Sequence, residues 1–72
     1  MIKYHHFQIE TIGRIIHVYG SNLLICRIDI DLFGVIFTDV ALDIADLSLI
    51  RKLMIDVENK QFEIPISDER PT

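Results

Sequence analysis

The 72-residue chain is short of cysteine, of basic residues, of aromatic rings and of long apolar runs. Its single cysteine, Cys26, cannot close an internal bridge, so no disulfide staples the fold and the composition suits a reducing, cytoplasmic compartment. Uninterrupted apolar stretches last only a few residues, far short of the roughly 20 that span a bilayer. The opening residues Met1 to His6 hold neither an apolar core region nor a small-residue cleavage site. Neither a membrane span nor a signal peptide is therefore expected. Seven Lys and Arg stand against eleven Asp and Glu, a net charge of −4 with a pI near 5.1, which argues against a surface that neutralises phosphates. Aromatic residues make up 8%, too few for a groove that stacks bases.

What is present is half apolar and a quarter charged, the make-up of one small globular domain. We place that domain at residues 1–66, followed by a polar, flexible tail at 67–72. Below about 80 residues a single core supplies only a few kcal/mol. The chain is nevertheless rich in Ile, Leu and Val, so part of its apolar surface is expected to meet a second chain.

Residues 6–19 read as one long strand bent at Gly13, and Gly20-Ser21-Asn22 as a turn. Leu23 to Asp31 is the clearest strand, with Leu24, Cys26, Ile28 and Ile30 on a core face and Ile25, Arg27, Asp29 and Asp31 on a wet one. After Gly34 a third strand runs from Val35 to Ile44. Asp46 reads as the N-cap of a helix from Leu47 to about Glu58, whose apolar stripe is Leu47, Ile50, Leu53, Met54 and Val57. Asn59 suits a left-handed C-cap, and Gln61 to Ile66 resumes period-two alternation as an edge strand containing Pro65. The expected fold class is α+β: a small, strongly bent antiparallel sheet closed by one helix, in the order β-β-β-α-β, like a truncated OB-type barrel.

The text Ile15-Ile16-His17-Val18-Tyr19-Gly20-Ser21-Asn22-Leu23, followed by Arg27-Ile28-Asp29-Ile30-Asp31-Leu32-Phe33-Gly34-Val35, resembles the staphylococcal-nuclease (thermonuclease) family, especially its short phage-borne forms. The likeness spans residues 13–66. Tyr19-Gly20-Ser21-Asn22 stands where the family has Asp-Gly-Asp-Thr. Val40 to Ser48 stands for its Arg-to-Glu motif, and Asn59-Lys60 for its Gly-Lys pair. The resemblance implies a chemistry of calcium-binding carboxylates, a phosphate-neutralising arginine and a glutamate that helps activate water. Here Ser21 and Ala45 replace the two metal-binding Asp, Val40 the Arg and Ser48 the Glu. The family's remaining barrel strand and C-terminal helices have no counterpart in these residues. The chain thus reads as a non-catalytic, truncated relative, or as a convergent sheet-and-helix domain, and no enzyme activity, cofactor or metal is expected.

His5, His6 and His17 offer imidazoles, but adjacent His5 and His6 would point to opposite faces of a strand, and no partner has metal-site spacing. Cys26 on a core face behaves as a small apolar side chain rather than a nucleophile. The most suggestive group is acidic: Asp29, Asp31, Asp39 and Asp43, which neighbouring strands would bring together on one wet face. They are a solvated sheet face, a guard against sheet stacking, or a docking surface for a basic partner. Phe33 and Phe37, with Ile25, could add an apolar contact patch.

The functional expectation is a non-catalytic protein-binding module of phage or prophage type that inhibits or retunes a host protein, itself basic or nucleic-acid-binding, through Asp29, Asp31, Phe33, Phe37, Asp39 and Asp43. A viral structural or assembly protein forming homo-oligomers is the alternative, and a residual OB-type nucleic-acid binder the second. A homodimer is expected, because a truncated barrel leaves unpaired strand edges.

Overall fold

The computed structural model describes residues 1–62 and 64. An antiparallel meander comes first: β1 (Ile2–Tyr4), β2 (Phe7–Ile12), β3 (Ile15–Gly20), β4 (Leu23–Asp29) and β5 (Gly34–Phe37), hydrogen-bonded in sequence order. The helix α1 (Ile44–Glu58) follows, the one helix among the described residues. The α+β class with an antiparallel sheet and a single helix agrees with the sequence reading, but five strands precede the helix where three were counted.

The difference lies in two tight turns. The supposed long strand 6–19 is a hairpin, with Ile12 opposite Ile15 and Gly13-Arg14 as its turn. Gly13 adopts φ of +61°, which an L side chain resists. A further hairpin at His5-His6 sets Tyr4 opposite Phe7, with His5 itself at φ of +53°. His5 and His6 thus occupy a turn rather than a strand. The strand expected over residues 35–44 ends at Phe37. Of the last expected strand, Gln61, Phe62 and Ile64 are not in β structure, while Glu63, Pro65 and Ile66, like the tail 67–72, lie outside the described residues.

The helix starts three residues earlier than expected. Asp43, not Asp46, is the N-cap: its side chain accepts the N–H of Asp46 at 2.8 Å, satisfying one of the free donors of the first turn. Asn59 ends the helix with φ of −87°, and the left-handed residue is the next one, Lys60.

One sheet face carries Tyr4, Phe7, Ile9, Ile16, Val18, Cys26 and Ile28, all buried, and α1 lays Ile50 and Leu53 against it. Among the described residues no polar side chain is buried in this core and no helix is long and apolar enough to cross a membrane. Burial pushes the Cys26 thiol up to about 11, which leaves it protonated and inert at neutral pH.

A bulge adds one more residue to the core. The register slips between Val18 and Tyr19, so that Val18 faces Cys26 and Tyr19 faces Leu24, leaving Ile25 unmatched. Ile25, expected on the wet face, is therefore only 4% exposed. It folds beneath Gly20, where an added Cβ would collide with the Cδ1 atom of Ile25. Gly20→Ala should accordingly cost about 1–3 kcal/mol by overpacking. Adding Ile25→Val, which removes that Cδ1, should recover part of the loss, a non-additivity that denaturant titration of both single variants and the double variant would measure.

Candidate functional site

The helix is anchored at one side of the sheet. Tyr4 on β1 donates its hydroxyl to Asp56 Oδ2 at 2.9 Å, and Lys52 donates to the same oxygen at 2.8 Å. The Lys52 ammonium also lies 5.9 Å from the Tyr4 ring centroid, and Phe62 meets that ring edge-on at 4.9 Å. Nearer the helix start, His6 and Asp46 are joined at 2.8 Å. The Lys52 hydrogen bond, helped by that of Tyr4, holds the Asp56 carboxyl below the usual carboxylate range. Burial, then Asp56, raises the Tyr4 hydroxyl above its ordinary value.

Among the described residues no helix covers the opposite sheet face. Its cross-strand rows follow from the register: Lys3, Gln8, Tyr19 and Leu24; then Glu10, His17, Arg27 and Ile36; then Ile12, Ile15, Asp29 and Gly34. The second and third rows enclose an open groove of about 330 Å³ lined by Ile12, Ile15, His17, Arg27, Asp29, Gly34 and Ile36. Ile12 and Ile36 are 57% and 63% exposed at its two sides. His17 Nδ1 is buried within this face and finds no hydrogen-bond partner among the described residues. Tyr19 donates a long 3.5 Å hydrogen bond to Glu10.

Most of the acidic residues expected to share one wet face are used locally. Asp29 Oδ1 accepts the backbone N–H of Asp31 and of Leu32, shaping the turn after β4. Asp31 is paired with Arg14 at 2.7 Å. Asp43 caps the helix and Asp46 holds His6. Asp39 is exposed in the segment between β5 and α1. The apolar trio is not assembled either. Ile25 is buried. Phe33, at φ of +49°, faces a hollow of about 430 Å³ lined also by Ile30, Val57, Phe62 and Ile64. Phe37, in phase with Cys26 on the helix-bearing face, is 48% exposed because the helix does not reach it.

A smaller depression, about 230 Å³, brings together Ser21, Val40 and Ala41 with His6 and Asp46. Ser21 and Val40 are two of the positions where the nuclease-family resemblance puts its machinery. Among the described residues Ser21 donates no hydrogen bond to His6. Among the described residues no three His, Cys, Asp or Glu side chains gather as metal ligands.

Sequence reasoning missed the groove because it assigned residues 6–19 to one strand. The readable signal was a phase switch: apolar residues at odd positions Phe7 and Ile9, then at even positions Ile16 and Val18. A two-residue turn produces that switch and sends Ile12 and Ile15 outward side by side. Compared with protein-family models, curated proteins and solved structures, the chain matches none.

Two outcomes follow from these assignments. Asp43→Ala should lower stability by about 1 kcal/mol through loss of the cap, measured by thermal unfolding. Because the Asp56 carboxyl is depressed, its contribution to stability is complete above the ordinary carboxylate range and is lost as pH falls through the folded value. The Tyr4 hydroxyl is raised, so its contribution fails only in strong base. Carboxyl NMR titration should find Asp56 shifted upward by Lys52→Met, and upward by less in Tyr4→Phe.

Proposed function

We propose that the chain is a non-enzymatic protein-binding module that docks a protein partner on the helix-free face of its sheet. The observation that carries this reading is the composition of that face: exposed Ile12 and Ile36 flank a row of Glu10, His17 and Arg27, with Tyr19 beside it. Tyrosine and arginine are enriched among the residues that anchor protein interfaces, and the exposed isoleucines add apolar area beside them. The groove is open and shallow, better suited to a protruding side chain of a partner than to an enclosed small molecule.

The net charge of −4 favours a basic partner, whose approach is steered by long-range attraction and slowed by salt. Asp29, at the groove, and exposed Asp39 supply acidic groups for that attraction, so the acidic docking surface of the sequence reading contracts to these two residues. A small phage- or prophage-type protein that modulates a basic host protein fits this description. The truncated OB-like, nuclease-related scaffold belongs to the same proposal: Ser21 and Val40, at positions of the family's metal ligand and arginine, share one depression yet offer neither a carboxylate nor a guanidinium. A homo-oligomeric assembly protein is the second reading, favoured by the exposed apolar residues of β5. Nucleic-acid binding is disfavoured by charge.

The test is comparative affinity capture from host lysate. Ile12→Lys, which sets a like charge on the open face, and Asp39→Lys, which reverses one of the two exposed acids, should lower retention of the specific partner at least tenfold, while thermal stability moves by less than about 0.5 kcal/mol. Ile55→Lys, exposed on the helix that packs on the opposite face, should retain it. An identical set of captured proteins for wild type and all variants would sink the proposal.

A further inference from the structure

The parity of the sheet's hydrogen bonds determines what the free side of β5 offers. Thr38 donates its N–H to the carbonyl of Ile25 at 2.9 Å. In an antiparallel ladder, bonded and non-bonded pairs alternate. Ile36 opposite Arg27, and Gly34 opposite Asp29, are therefore the bonded pairs, and their N–H and C=O groups point into the sheet. Those of Val35 and Phe37 point the other way, and among the described residues no strand pairs with that side. The segment Gly34-Val35-Ile36-Phe37 has no lysine, proline or bulge, the usual devices that keep an edge from pairing. The other edge, β1, is three residues long and carries Lys3.

We infer that β5 pairs antiparallel with β5 of a second copy of this chain, on a two-fold axis through Ile36, to form one continuous sheet. Such an axis, perpendicular to the sheet, keeps each face on its own side, so only residues of the same phase can be partners. Centring on Ile36 sets Val35 against Phe37 of the second copy, and Phe37 against its Val35. Each of these pairs exchanges two backbone hydrogen bonds, which satisfies every outward-facing donor and acceptor of Val35 and Phe37 in both strands. Centring on Val35 instead would bring Phe37 opposite Phe33, which is left-handed at φ of +49° and cannot continue a ladder.

Side chains agree with this register. Ile36, 63% exposed, meets Ile36 of the second copy as a non-bonded pair, the type with the closest side chains. Phe37, 48% exposed, gains Val35 of the second copy as a neighbour on the helix-bearing face. Asp31, close to the strand end, is already neutralised by Arg14. The dimer requires no other partner, so it stands or falls separately from the docking role above.

The register gives a sharp test. At a non-bonded antiparallel pair the Cα atoms lie about 4.5 Å apart, within disulfide reach. Full-length Ile36→Cys should cross-link to itself under mild oxidation, as seen on non-reducing gels, whereas Val35→Cys should not. Cys26, fully buried, supplies a silent background. In sedimentation equilibrium the wild type should approach twice its 8.4 kDa mass with rising concentration. Ile36→Lys, which places two like charges at the axis, and Val35→Pro, which deletes an outward N–H only, should both be monomers with the wild-type circular dichroism spectrum. A wild type that stays monomeric at millimolar concentration overturns the inference. So does a dimer that persists in both of those variants, or an Ile36→Cys protein that dimerises without cross-linking.

Discussion

A single fifteen-residue helix must cover a sheet of five strands, and it cannot. At about 4.8 Å between strands the sheet is roughly 20 Å wide, while a helix with its side chains is about 10–12 Å across. The helix is held over β1 by Tyr4–Asp56 and over the β1–β2 turn by His6–Asp46. Burial follows that placement: Phe7, Ile9, Ile16 and Val18 are sealed, whereas Phe37 at the far edge is half open and the reverse face is covered by none of the described elements. The candidate docking face and the unpaired edge are both consequences of one element too few.

This shortage also explains why the small core is so economical. The bulge at Ile25 lets two successive residues, Ile25 and Cys26, point into the apolar layer where strict alternation would admit one. The device depends on Gly20, since any side chain there would occupy the space Ile25 fills. A Greek-key or barrel closure would have buried the edges; the meander instead leaves them to composition, and only β1 carries a charged guard.

Alternation made Cys26, Ile28 and Ile30 legible as core residues, but the bulge in β4 puts Leu24, read as core, on the open face and Ile25, read as wet, in the core; three-and-four spacing made the helix legible with Ile50 and Leu53 as its buried residues. Turns were read poorly where no Gly-Asn pair marks them. His5 and Phe33 enter the left-handed region without being glycine; for Phe33 local propensity gives no hint of it. The acids misled for a different reason. Alternating Asp residues look like a wet face only if the strand continues; once β5 stops at Phe37, Asp43 falls at a helix start, where a carboxylate has a local use. Asp29 and Asp31 likewise turn a corner and pair with Arg14. A run of like charge was thus mostly a series of separate local solutions, and the candidate face had to be found from the strand register, which puts His17 between Glu10 and Arg27 across three strands.

The open face and the open edge converge on Ile36. On the monomer its side chain ends the row Glu10, His17, Arg27 and exposes apolar surface with nothing beyond it. Continuing the sheet through a second copy would extend that row symmetrically, Ile36 against Ile36 with an Arg27 on each side, so the groove of each copy would meet the other across a shared apolar seam. Surface that is costly to leave in water on one copy becomes the centre of a wider platform on two. A protein too small to build a second covering layer can reach the same end by adding strands from another chain, and the backbone phase of β5 is the feature that makes such an addition symmetric.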